Sequence, residues 1–168
     1  MAKAGKKVLF VATKKQAKQV IADLASSVGM PYVIERWPGG MLTNFPTIRK
    51  AVRKMTTIDK MTKDGTFDNL SKRERLQITR QRAKLEKTLG SIADLNRLPS
   101  ALFVVDVLKE RIAVAEANRL GIATTLWMVN DCELIDWAAH HGITYVSTDC
   151  PDKAEAYLEA VAAYKNKK

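Results

Sequence analysis

Short, continuously apolar runs alternate with helix-period segments through most of this chain, and no other feature narrows the fold as much. Val8-Leu-Phe-Val-Ala12 precedes Lys15 to Val28, where Ala17, Val20, Ile21, Leu24, Ala25 and Val28 recur at helical spacing before Gly29. Pro31 to Arg36 is a second run. Ala101 to Val107 leads into a helix from Glu110 to Leu120 that stops at Gly121. Thr124 to Val129 leads into one from Glu133 to His141 that stops at Gly142, and Thr144 to Ser147 into a closing helix from Lys153 to Tyr164. Strands this apolar, each joined to the next by a helix, imply a parallel sheet covered on both faces. The rhythm predicts an α/β fold, a flavodoxin-like doubly wound parallel sheet of five strands in order 2-1-3-4-5.

Residues 43–98 break that rhythm. Phe45, Ile48, Val52, Met55 and Ile58 recur at threes and fours. After Lys63-Asp-Gly-Thr-Phe-Asp-Asn69, Ile78, Leu85 and Ile92 stand seven apart, joined by Leu89. The pattern predicts an antiparallel coiled-coil helical hairpin over 43–98, inserted into an α/β domain made of 1–42 and 99–168. Pro38-Gly39-Gly40 then marks the exit from the second strand, Asn44 or Thr43 the N-cap of the first arm, and Pro46 its first turn. A Gly pair after a strand also raises the possibility of a phosphate cradle. Yet the chain holds no G-x-x-x-x-G-K-[ST] loop, and its first strand ends in Thr13-Lys14-Lys15 instead of spaced glycines. The pair is punctuation, and no cofactor is expected.

Charge says more about function. The chain carries a formal net charge of +10, but unevenly. Residues 1–100 hold 21 Lys and Arg against 8 Asp and Glu, a balance of +13, whereas residues 101–168 hold 7 against 10, a balance of −3. The basic part includes the hairpin, and that asymmetry points to a polyanionic partner such as nucleic acid. Charges on a coiled coil are often only a solvated face, and Arg82–Glu86 is an i,i+4 pair of that kind. Few acids accompany the many bases of 43–98, however, which leaves most of them unpaired and favours RNA contact. Lys14, Lys15, Arg36, Arg49, Lys50 and Arg53 are the candidate RNA-binding residues, because they cluster where sheet and hairpin are expected to meet.

Other constellations are thin. Cys132 and Cys150 form no disulfide framework and fit a reducing, cytoplasmic setting. No apolar run approaches the ~18 residues of a membrane span, and no signal-peptide core follows Met1. Cys132 and His140 lie about 12 Å apart along a helix, too far to share a metal ion, and no metal site is expected. His140 and His141 read as polar surface. Asp106 ends the third strand, where doubly wound folds bind ligands, but no acids stand at the end of the first strand to make it a phosphoacceptor. Trp127 and Trp137 sit in apolar patterns and are expected in the core. Trp37, beside the basic arm, could stack on a base, though packing is the better reading.

Residues 4–122 carry a resemblance as well. "GKKVLFVATKKQAKQV", "PYVIERWPGGMLTNFPTIRKAV", "DNLSKRERLQITRQRAKLEKTLGSIADL" and "LPSALFVVDVLKERIAVAEANRLGIA" resemble the bacterial small-subunit ribosomal protein two family, the last with Pro99, Asp106, Glu110, Glu116 and Gly121 spaced as in its signature. That resemblance implies an RNA-binding structural protein, not an enzyme, whose partners are small-subunit rRNA and neighbouring ribosomal proteins. Members usually begin with a further N-terminal segment that this chain lacks. "TTLWMVNDCELIDWAAHHGITYVSTDCPDKAEAYLEA" instead resembles the last two units of a glycerophosphodiester phosphodiesterase barrel, without the earlier units expected to hold that family's catalytic residues. The alternative expectation is therefore a chimeric or engineered α/β scaffold with no ribosomal role and no catalysis.

Overall fold

Residues 5–122, 124–126, 129–143 and 145–165 are described by the computed structural model. The chain is a mixed α/β structure with parallel strands, in two compact units, Met1–Glu116 and Ala117–Lys168.

In the first unit β1 (Val8–Val11) is central, parallel to β2 (Tyr32–Val33) on one side and β3 (Ala101–Val104) on the other. Register pairs Phe10 with Tyr32 and Val8 with Ala101. Leu9 and Val11 point to one face and are wholly buried. Phe10 and Phe103 share the opposite face, with ring centroids 5.3 Å apart, and Phe103 is 48% exposed. Among the described residues the sheet is thus well covered on one face only, which departs from the two-sided burial predicted by its apolar strands. Helix α1 (Lys15–Ser27) likewise buries Ala22 and Ala25 while Val20, Leu24 and Val28 stay exposed. Helical period identifies an apolar stripe but not what covers it.

The helix stops are as predicted, for a local reason. Past α1, Gly29 adopts φ 61°, its N–H bonds Ser26 O at 3.0 Å, and Met30 N–H reaches back to Ala25 O at 2.9 Å. This Schellman pairing satisfies carbonyls that the helix end leaves open. Gly121 and Gly142 end α4 (Arg111–Arg119) and α5 (Cys132–His140) with the same pair of bonds.

Between β2 and β3 stand α2 (Phe45–Lys63) and α3 (Lys72–Leu89), joined by a 3₁₀ turn at Thr66–Asn69. They run antiparallel: Arg49 near the start of α2 bonds Ala93 and Asn96 beyond the end of α3, while Asp59 meets Arg82. Val52, Met55 and Ile58 form the buried stripe of α2, and Leu89 is buried on α3. Ser71 starts α3 with a reciprocal capping box to Glu74. Asn44 occupies the N-cap of α2, as expected, and Pro46 its first turn, but the Asn44 side chain takes no helix N–H and instead accepts from Thr47 Oγ1 at 2.8 Å. The sevenfold spacing is broken at its end, because α3 stops at Leu89 and Ile92 lies in a 3₁₀ turn, Gly90–Ile92, 1% exposed.

In the second unit β4 (Thr125–Leu126) pairs parallel with β5 (Tyr145–Val146), and α5 precedes α6 (Pro151–Lys165). The five strands expected in one sheet of order 2-1-3-4-5 therefore appear as two ladders, β2-β1-β3 and β4-β5, with no ladder from β3 to β4 among the described residues. The last two strands are only two residues long, far shorter than the runs Thr124–Val129 and Thr144–Ser147 suggested. Trp127 and Thr144 lie outside the described residues. Trp137 is half-buried and stacks on His141, 4.1 Å between ring centroids.

Candidate nucleic-acid interface

The root of the helical hairpin is fixed at both of its chain segments. On the entering side, residues 37–43 close around the carboxylate of Glu116, which α4 carries and which is 6% exposed. Its Oε1 accepts from Trp37 Nε1 at 3.1 Å and Gly40 N at 2.7 Å. Its Oε2 accepts from Leu42 N at 2.8 Å, Thr43 N at 3.2 Å and Thr43 Oγ1 at 3.3 Å. Burial pushes this carboxyl up, but the hydrogen bonds from Leu42, Trp37, Thr43 and Gly40 outweigh it and hold the group below its ordinary value, so it is an anion. Trp37 is 6% exposed and its indole N–H is spent on Glu116, so it packs and is no stacking platform. On the leaving side, Arg49 Nη1 donates to Ala93 O at 2.9 Å and Nη2 to Asn96 Oδ1 at 2.7 Å.

The ligand position of a doubly wound sheet, at the ends of β1 and β3, is closed by its own side chains. Asp106, with φ 70°, accepts from Lys14 Nζ at 3.1 Å and from Lys109 N at 3.2 Å. The Lys14 bond, then that from Lys109, holds its carboxyl below the usual range. Glu110, 3% exposed, accepts from Thr13 N at 2.9 Å and from Thr13 Oγ1. Among the described residues no group of three or more His, Cys, Asp or Glu is placed to hold a metal ion.

The six candidate residues therefore divide. Arg49 is half-buried in the hairpin root and Lys14 is paired with Asp106. Lys15, Arg36, Lys50 and Arg53 are exposed and enter no ion pair among the described residues. Glu116, read from sequence only as a signature position, is the residue that was missed: its donors lie 73 to 79 positions away, beyond any local pattern.

The acids of the two arms are taken up within the hairpin. Asp59 and Glu86 both meet Arg82, at 2.8 Å and 3.1 Å, the latter being the i,i+4 pair expected from sequence. The Arg82 hydrogen bond holds the Asp59 carboxyl low. Glu74 is bound to Ser71, which lowers its carboxyl too. What remains on the outer surfaces is basic.

A family profile described as Ribosomal protein S2 matches residues 1–138. The match runs past residue 122, so residues 123–138, read above as barrel-like, lie inside it. Curated relatives include the small ribosomal subunit protein uS2 of Parabacteroides distasonis, 88% identical over 122 residues, which is 73% of this chain and 44% of that protein. That of Porphyromonas gingivalis is also 88% identical, over 73% of this chain and 43% of that protein. The Bacteroides fragilis protein is 84% identical over 73% and 44%. The chain spans less than half the length of these relatives.

Proposed function

Because this chain belongs to the Ribosomal protein S2 family, we propose that it is a structural, non-catalytic, cytoplasmic RNA-binding protein that contacts small-subunit rRNA, beside other ribosomal proteins, through its basic hairpin and the hairpin's root. The observation that carries the reading is the sorting of charge on the two arms. Asp59, Glu74 and Glu86 are engaged by Arg82 and Ser71, while Lys50, Arg53, Arg73 and Arg80 are exposed and unpaired among the described residues. Lys15 and Arg36 extend the same surface at the root. Residues 43–98 act as an insertion in an α/β domain of 1–42 and 99–168, and the sevenfold spacing of Ile78 and Leu85 supports coiled-coil packing. The unpaired edge of β3 supports a sheet completed in the order 2-1-3-4-5.

Contacts of this kind go to phosphate, so affinity falls with salt by counterion release, at about −0.9 in log-log slope per phosphate neutralised. Fluorescence anisotropy with a structured RNA at several salt concentrations tests it. Replacing Arg36, Lys50 and Arg53 by Ala flattens the slope by about 2.7 and weakens all sequences about equally. Replacing Arg111, Arg119 and Lys153 leaves it nearly unchanged. Equal losses from both sets would show attraction by net charge alone and defeat the proposal.

A further inference from the structure

The helical hairpin is basic on two sides, not one. At about 100° per residue, Lys50, Arg53, Lys54 and Lys60 fall on one side of α2, roughly opposite the stripe of Val52, Met55 and Ile58 that is buried. On α3, Arg73, Arg80, Lys84 and Lys87 stand at intervals of seven, four and three, which keeps them in one narrow row about 21 Å long. That row lies roughly opposite the inward positions, namely Ile78 and Leu85, which are half-buried, and Leu89, which is buried. All eight cations are exposed, and only Lys87 is paired, with Glu35 at 3.6 Å. Since the inward sides of α2 and α3 face each other, as the Asp59–Arg82 pair shows, the two basic rows point in opposite directions. The turn between the arms is different in kind: it holds Asp64 and Asp68, both exposed.

Two packed helices are about 20 Å across, each about 10–12 Å wide with its side chains. Charge on one outer face is screened from the other, since the Debye length is about 8 Å at physiological salt. A nucleic-acid duplex is too stiff to turn around so thin a body, DNA having a persistence length of about 150 base pairs. One duplex therefore satisfies one row and leaves the other row's potential intact.

We infer that the hairpin is a two-sided wedge that holds the phosphate backbones of two separate RNA segments, one on the α2 face and one on the α3 face. The inference rests on the RNA-binding reading above and adds stoichiometry and geometry to it. The occupant is fixed by charge complementarity: rows of guanidinium and ammonium groups, without a carboxylate among them, suit a polyphosphate and supply no base-edge readout.

The test uses the full chain with two short RNA duplexes, one carrying a donor and the other an acceptor dye. The chain takes up two duplexes by analytical ultracentrifugation and produces energy transfer between the dyes. Lys50→Ala with Arg53→Ala and Lys54→Ala leaves one duplex bound and abolishes the transfer, and so does Arg73→Ala with Arg80→Ala and Lys84→Ala. Each triple variant keeps the affinity of its remaining face within about threefold, and circular dichroism shows helicity retained, as exposed alanines favour it. Saturation of the parent chain at one duplex, with a steep salt slope, would overturn the wedge and leave the RNA-binding reading standing. So would loss of the same single site in both triple variants. No binding of either duplex by the parent would overturn both.

Discussion

Replacing Glu116 by Gln removes one negative charge and changes almost no volume, so it isolates the hydrogen bonding at the hairpin root. The carboxylate offers two acceptors: Oε1 to Trp37 Nε1 and Gly40 N, Oε2 to Leu42 N and Thr43 N. An amide keeps one acceptor and puts an NH₂ group in place of the other. Whichever way it is turned, two N–H donors lose their partner and face another donor. Trp37 and Leu42 are 6% and 2% exposed, so water does not replace the lost acceptor for at least one donor in either orientation. A buried donor left unsatisfied costs about 1–3 kcal/mol, which makes the substitution worth about 2–6 kcal/mol. Against a domain stability of about 5–15 kcal/mol this is large. Urea unfolding followed by circular dichroism reads it as a fall of about 1–3 M in the midpoint, at an m-value of about 2 kcal/mol per M. A midpoint within about 0.2 M of the parent, at unchanged m, would refute the claim that Glu116 organises the root.

The same group gives a pH signature. Its folded value lies below the ordinary 4.5, so its contribution is complete above that value and is lost as pH falls through the folded value. In acid titration of stability, the gap between the parent and the Glu116→Gln variant is flat above about pH 5 and shrinks below the ordinary value. Gly40 sits at φ 79°, where a Cβ would lie 3.1 Å from Asn44 Cβ, whereas Gly39 has nothing within 4 Å and no positive φ. Gly40→Ala therefore costs about 1–2 kcal/mol in thermal or urea melts and Gly39→Ala much less. Arg49→Ala strips the leaving segment of its two bonds and lowers stability by about 1–3 kcal/mol, where Lys50→Ala, fully outward, changes it by less than about 0.5. Ending the chain at Gly121 makes it insoluble if β4 completes the edge of β3; a soluble product with an unchanged melting transition would show the tail to be an independent appendage.

The parts of this molecule that were legible in its sequence are the parts decided locally. Gly29, Gly121 and Gly142 end helices because the left-handed cap is a property of the residue itself, and Ser71 with Glu74 starts α3 through a reciprocal bond three residues long. The order β2-β1-β3 followed from short apolar runs joined by crossover segments. What depended on distant partners was not legible. Val20, Leu24 and Val28 read as a core stripe, but the helix buries its alanines instead. Arg49 looked like any other outward cation on α2 until Ala93 and Asn96, 44 and 47 positions on, claimed its guanidinium. Trp37 was open between stacking and packing until Glu116, 79 residues away, took its N–H.

The clamps at the root also explain how a basic chain can place a buried anion beside an anion-binding arm. Glu116 would repel phosphate if its charge were exposed, but it is spent on donors converging from residues 37–43 and is 6% exposed. Its attraction acts inward, on the segment that enters α2, while Arg49 does the same for the segment that leaves α3. A helical pair tied at only one of these segments could swing about the other. Tied at both, its basic rows are held in a fixed direction before any partner arrives. Ordering a rotamer-rich side chain on binding costs about 0.5–1.5 kcal/mol, and a swinging arm would add its own ordering cost to every contact made along it. The buried carboxylate thus serves RNA affinity without touching RNA, by removing part of that cost in advance.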